Sequence, residues 1–266
     1  MIPVDSINKL AAIFDSLNEL CAQLTEAQWK MPTQLPGWTV QDNLSHIIGT
    51  ERALYGLPEF DHKASDLLNV KNPIGEMNEH HVDLRRSRPG AEVFAEFQEL
   101  SKMRIDQLRS ADDAYFDKEA MTPTGPGTVA DFLHIRILDV WTHEQDMRRT
   151  VGIPGNGGGP AAEHTIDRLI RTIPIVVGKR AATPEGGTVV IEVTGDVKRT
   201  IATTIVEGRG QVSNKAPADA LCTITMDSDA FLQLATGRAT HSEISYTIAG
   251  DNELGTKVVS QFNMMI

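Results

Sequence analysis

Apolar residues recur at three- and four-residue spacing through the first half of the chain. In "SINKLAAIFDSLNELCAQL", Ile7, Leu10, Phe14, Leu17, Cys21 and Leu24 make one narrow stripe, which predicts an amphipathic helix. A second helix is predicted over Val40–Tyr55. Thr39 offers an N-cap, and Asp42 three residues later completes a capping-box pattern. The stripe of this helix is Val40, Leu44, Ile47, Ile48 and Leu54. Residues 56–75 carry scattered Pro, Asp and Gly and read as a loop. A helical segment over 76–87 meets Pro89-Gly90, and a longer one follows with Val93, Phe94, Phe97, Leu100 and Leu108 on one side. A Pro/Gly loop then leads into a helix from about Thr128 that stops at Gly152-Ile153-Pro154. Long helices joined by loops, with no strand pattern, predict a helical bundle.

The pattern changes after "GIPGNGGGP", residues 152–160. No strand precedes this run and no Lys-Ser/Thr pair follows the glycines, so it reads as a linker rather than a phosphate-binding loop. A helix is expected over 160–178. "GGTVVIEVTGD" and "RTIATTIVEGRGQV" are β-branched runs separated by a Gly-Asp turn, a hairpin signal, with Ile201, Thr203 and Ile205 alternating. "ALCTITMD" and "EISYTIAGD" read as further strands. "SDAFLQLATGR" reads as a helix capped near Ser228, and "NELGTKVVSQF" as a closing helix capped by Asp251. Hairpins with segregated helices make an α+β domain. The expectation is therefore multidomain: an all-α four-helix bundle over 1–155 and a smaller α+β domain over 156–266.

Composition narrows the function. The 266 residues can bury a core without staples, and 41% hydrophobic content is ordinary for a globular protein. A net charge of −11 argues against nucleic acid and against anionic membranes. No apolar run reaches membrane-spanning length and no leader is evident, so a cytoplasmic location is expected. The two cysteines, Cys21 and Cys222, lie in apolar stripes and read as reduced and buried.

One stretch breaks the pattern. In "LDVWTHEQDMRR", Asp139 and His143 sit four residues apart, so on a helix they share a face with Val129, Phe132, Val140 and Met147. A carboxylate and an imidazole among apolar neighbours are costly unless something satisfies them. A divalent metal would satisfy both, and so would a plain hydrogen bond within the bundle. A catalytic metal site needs a third protein ligand. The second helix offers Glu51, in the middle of its stripe, and His46, to one side; spacing does not decide between them.

"PGWTVQDNLSHIIGTERAL" followed by "DVWTHEQDMRR" resembles the mycothiol-dependent maleylpyruvate isomerase family, part of the wider DinB-like metalloenzymes. The first motif of that family is Pro-Gly-Trp-Thr/Ser followed by a metal-binding His, which falls on His46. Its second is an acidic residue, three spacers and a His, which fall on Asp139 and His143. Many members carry Glu where this chain has the shorter Asp139. "DALCTITMDSDAFLQLATGR" and the later Gly-Asp before a final helix look like the sterol-carrier-type α+β domain that often follows the bundle.

The resemblance implies His46, Asp139 and His143 as ligands of a divalent ion, most commonly zinc, although this ligand set also accommodates iron, nickel or manganese. It implies mycothiol, a small thiol, as cosubstrate, ionised at the metal to attack an electrophile. The expected activity is isomerisation of a maleylpyruvate-like acid or S-transfer to electrophiles. The alternative is a non-catalytic protein that binds metal or an apolar ligand. Glu51 is a candidate partner of a ligand, or a salt bridge in the bundle. Arg136 and Asp146 lie on the Asp139 side and are candidates to orient a ligand or substrate, or to pair between helices. Arg85 and Arg86 are candidates to hold an anionic substrate, or a solvated basic run. Neither cysteine fits the nucleophile, and a monomer or homodimer is expected.

Overall fold

Apolar spacing becomes burial in the first helix, α1 (Val4–Cys21), where Ile7, Leu10, Phe14, Leu17 and Cys21 are all buried. The computed structural model describes residues 1–58 and 60–263. The chain divides into two units, Met1–Asn156 and Gly157–Ile266.

In the first unit α1 is followed by a single turn, α2 (Glu26–Trp29), and then by α3 (Val40–Tyr55), α4 (Pro73–Arg86) and α5 (Gly90–Ser110). A second single turn, α6 (Asp113–Phe116), precedes a hairpin of β1 (Glu119–Thr122) and β2 (Gly125–Thr128), and α7 (Val129–Val151) closes the unit. α1 packs on α5 and α7, and α3 packs on the same two, which closes a four-helix ring; α4 lies against α3. Phe14 of α1 meets Phe97 of α5 edge to face, with ring centroids 5.6 Å apart. Each buried Leu or Phe of this core contributes roughly 1.5–3 kcal/mol.

Local chemistry sets the ends of the site-bearing helices. The Thr39 hydroxyl accepts from the Asp42 N–H at 3.3 Å, and the Asp42 carboxylate accepts from the Thr39 N–H at 2.8 Å, which starts α3 at Val40. Thr128 and Asp131 make the same box at the start of α7. Gly152, at φ +69°, ends α7 in the left-handed conformation.

Several elements differ from the sequence reading. The β1–β2 hairpin was not expected: its ten residues are too short and too rich in Pro and Gly to show alternation. α4 begins at Pro73 rather than near 76, because the Asn72 side chain caps Gly75 N–H at 2.9 Å and proline suits the first turn.

The second unit begins with α8 (Pro160–Ile170). The helix expected to 178 stops there; Pro174 lacks the N–H to continue it, and a short α9 (Ile173–Ile175) with a π-type turn over Val176–Arg180 follows. Strands β3 (Thr188–Thr194), β4 (Arg199–Val206), β5 (Arg209–Ser213), β6 (Cys222–Asp227) and β7 (Thr247–Gly250) form one sheet in the order β5-β4-β3-β6-β7. β3 pairs antiparallel with β4 and parallel with β6. The run read as one strand, "RTIATTIVEGRGQV", is two strands turned at Glu207-Gly208, both with positive φ (52° and 72°). α10 (Ser228–Ala235) is capped by Asp227 rather than Ser228, and α11 (Asn252–Ser260) by Asp251 as expected.

The α3–α4 contact depends on Gly49. A Cβ there would lie 2.5 Å from Cβ and Cγ of His81, so no larger residue fits without moving α4. Gly49→Ala is expected to lower stability by about 1–3 kcal/mol, read as a lower urea midpoint at unchanged slope; an unchanged midpoint would refute the contact.

Candidate metal centre

α3 and α7 bring three side chains together. His46 projects from the second turn of α3, and Asp139 and His143 from successive turns of α7. His46 Nε2 lies 3.1 Å from Asp139 Oδ2, and His143 Nε2 lies 3.6 Å from Asp139 Oδ1. One ligand atom from each residue falls within 4.8 Å of the others. Two ligands at zinc distances in a tetrahedron stand about 3.3 Å apart, so the spacing suits a shared ion. Both imidazoles are buried, whereas the Asp139 side chain keeps 25% exposure, which opens the triad on its carboxylate side.

The surrounding groups fix two of the three ligands, His143 and Asp139. Asn43 Nδ2 donates to Thr39 O at 2.9 Å, which turns Asn43 Oδ1 toward His143 Nδ1 at 2.7 Å. The proton then sits on Nδ1 and the Nε2 lone pair faces the triad. Asp146 Oδ2 is 3.5 Å from the same Nδ1. Asp139 Oδ2 also accepts from Arg136 Nη1 at 2.5 Å. Arg136 Nε donates to Glu51 Oε1 at 2.8 Å, and Glu51 Oε2 accepts from Arg104 Nε at 3.0 Å. Glu51 and Arg104 are 1% exposed and Arg136 3%. His46 Nδ1 and Arg136 Nη2 are buried with no hydrogen-bond partner among the described residues. The donor set, two imidazole nitrogens and a carboxylate with one open side, fits a divalent cation.

Trp38 walls the site. Its ring centroid stands 5.4 Å from His46 and 5.8 Å from His143. Its indole N–H donates to Glu79 Oε2 at 2.9 Å, and Glu79 Oε1 pairs with Arg86 Nη1 at 2.5 Å. Arg86 also reaches Asp42, Asp83 and the Gly37 carbonyl. Arg85 is fully buried, with a bidentate bond to Glu96 and a bond to the His81 carbonyl. Thus Glu51 joins the triad through Arg136, Arg86 joins the Trp38 wall through Glu79, and Arg85 is engaged by Glu96.

Electrostatics follow from these contacts. Burial alone would push the Asp139 carboxyl up, but the adjacent Arg136 guanidinium holds it well below the usual carboxylate range. Burial lowers His46 below 6.5 despite the pull of Asp139, so the imidazole stays neutral. Burial, then Glu144, pushes the Cys21 thiol far up; burial, then Asp251, pushes Cys222 up to about 11. Neither thiol ionises near neutral pH.

Sequence reasoning missed Asn43, Arg104 and the position of Trp38. Asn43 carried a signal: it lies three residues before His46 on a buried helix. Arg104 carried none, because its partner lies 53 residues away.

The family model described as the mycothiol maleylpyruvate isomerase N-terminal domain matches residues 10–148, just over half of the chain. The chain belongs to this family. His46, Asp139 and His143 all lie within the matched mycothiol maleylpyruvate isomerase domain. The SCP-2 sterol transfer family model matches residues 166–263. Two uncharacterized proteins of Mycobacterium tuberculosis, from strains CDC 1551 / Oshkosh and ATCC 25618 / H37Rv, are each 22% identical over 259 residues, covering 94% of this chain and 91% of theirs. The fold is similar to that of the crystal structure of the mycothiol-dependent maleylpyruvate isomerase, with TM-score 0.60 at 15% identity over 92% of this chain and 91% of that one. A histidine-to-alanine mutant of that protein superposes with TM-score 0.58 over the same shares. Among the described residues no helix is long and apolar enough to cross a membrane.

Two outcomes test the site electrostatics. In metal-free protein, NMR should place the His46 midpoint below pH 6.5; a midpoint at or above that value refutes the burial argument. With its folded pKa depressed, the unfolded chain takes the proton first, so His46 disfavours folding as pH falls below 6.5. Both cysteines should resist a thiol-reactive disulfide reagent in native protein and react in denaturant; fast native reaction would show an open thiol.

Proposed function

We propose that this protein is a divalent-metal-dependent enzyme that uses a low-molecular-weight thiol, mycothiol by family, to isomerise a maleylpyruvate-like acid or to transfer the thiol to an electrophile. The observation that carries this reading is the convergence of His46, Asp139 and His143 within 4.8 Å inside the family-matched bundle. A dication bound there, zinc being the commonest choice for this ligand set, would lower the pKa of a coordinated thiol.

The chain's own residues do the rest. Asn43 holds the His143 tautomer, and Arg136 with Glu51 holds the Asp139 carboxylate. Trp38 limits water at the two imidazoles and offers an apolar face. Arg86 acts through Glu79 on Trp38, and Arg85 braces α4 against Glu96; both enter as positioning residues rather than substrate contacts. The nucleophile arrives with the cosubstrate, since Cys21 and Cys222 stay protonated. The exposed edge of Asp139 is where the thiol and the electrophile enter.

Elemental analysis of protein purified without a metal-affinity column should give about one equivalent of metal per chain, lost in His46→Ala and in His143→Ala. Mutants that retain full metal would refute the site. With metal established, thiol titration separates the two activities. An isomerase leaves the thiol count unchanged through turnover, and a transferase consumes one thiol for each electrophile.

A further inference from the structure

We infer that Glu51 is the charge-balancing and positioning residue of the metal centre: it holds Arg136 on Asp139 and offsets the guanidinium charge that would oppose a bound dication. This rests on the metal reading above. Arg136 Nη1 binds the same Asp139 oxygen that faces His46, so a full positive charge stands against the ligand carboxylate. A cation in a buried setting repels a dication strongly, because little solvent screens it.

Glu51 answers that charge. Its two oxygens each accept from one arginine Nε, Arg136 at 2.8 Å and Arg104 at 3.0 Å. Asp139 and Glu51 face Arg104 and Arg136, two charges of each sign that balance before any ion binds. Geometry follows the same path. Arg104 has further anchors in Gln107 at 2.5 Å and the Tyr115 hydroxyl at 3.0 Å. Arg136 is buried, its Nη2 has no hydrogen-bond partner among the described residues, and its Nε and Nη1 are held by the two carboxylates. Glu51 is therefore what fixes Arg136, and Arg136 is what fixes Asp139. A purely structural ion pair would stabilise the fold but would leave metal affinity insensitive to net charge.

The test is zinc affinity of the full chain, by competition with a chromogenic chelator, together with the visible absorption of the cobalt(II)-loaded protein. Glu51→Gln should weaken zinc binding by about tenfold or more and change the cobalt band shape. The double variant Glu51→Gln/Arg104→Met removes one charge of each sign and should recover most of the lost affinity. Glu51→Gln that binds zinc as the wild type does, or a double variant no better than the single one, overturns the inference. Should Glu51→Gln fail to fold, the double variant decides alone: affinity close to wild type supports the charge balance, and a loss of tenfold or more overturns it. Wild-type protein that takes up no zinc overturns the metal reading itself and this inference with it.

Discussion

The seam between α3 and α7 has to hold two buried imidazoles, the buried Glu51 and the part-exposed Asp139 where a helical bundle ordinarily packs aliphatic side chains. An ionised carboxylate stripped of water costs several kcal/mol unless it is paired and hydrogen-bonded. Arg136 satisfies both carboxylates at once, and Arg104 completes the pairing of Glu51. The bundle can therefore hold Asp139 charged and His46 neutral, the protonation states a metal site needs. Removing Arg136 would take from Asp139 and Glu51 the partner they share.

That seam is braced from the side by α4. Asp42 caps α3 and also meets Arg86, and Arg86 reaches through Glu79 to the indole N–H of Trp38. One chain of charged contacts thus runs from the helix cap to the ring that walls the two imidazoles. Gly49 lets α4 approach closely enough for this, because the ring of His81 occupies the place of a side chain. The arginines that looked free in sequence are the mortar of α4, and this explains why a short basic run sits at the end of a largely polar helix.

The second unit is built by different rules. β3 is buried along both faces and takes a parallel partner, β6, on one side and an antiparallel one, β4, on the other. Phe231 of α10 and Phe262 pack edge to face at 5.6 Å in its core. Low aromatic content is thus concentrated where it fills volume.

The sequence by itself determined the two-part architecture, the long helices and the Thr39–Asp42 capping box that starts α3, because these depend on periodicity and on contacts within four residues. It also determined that Asp139 and His143 share a face, since helix geometry alone requires it. The hairpin of β1 and β2, the break at Pro174 and the split of β4 from β5 were less legible, because short Pro- and Gly-rich segments lack a period to read. Spacing left open whether Glu51 or His46 faces the pair; the family motif pointed to His46, and the fold places it there. His46 turns to Asp139, and Glu51 turns to two arginines that lie 53 and 85 residues away in the chain. Those partners are set by the packing of whole helices, and a local pattern carries no record of which buried charge will meet which.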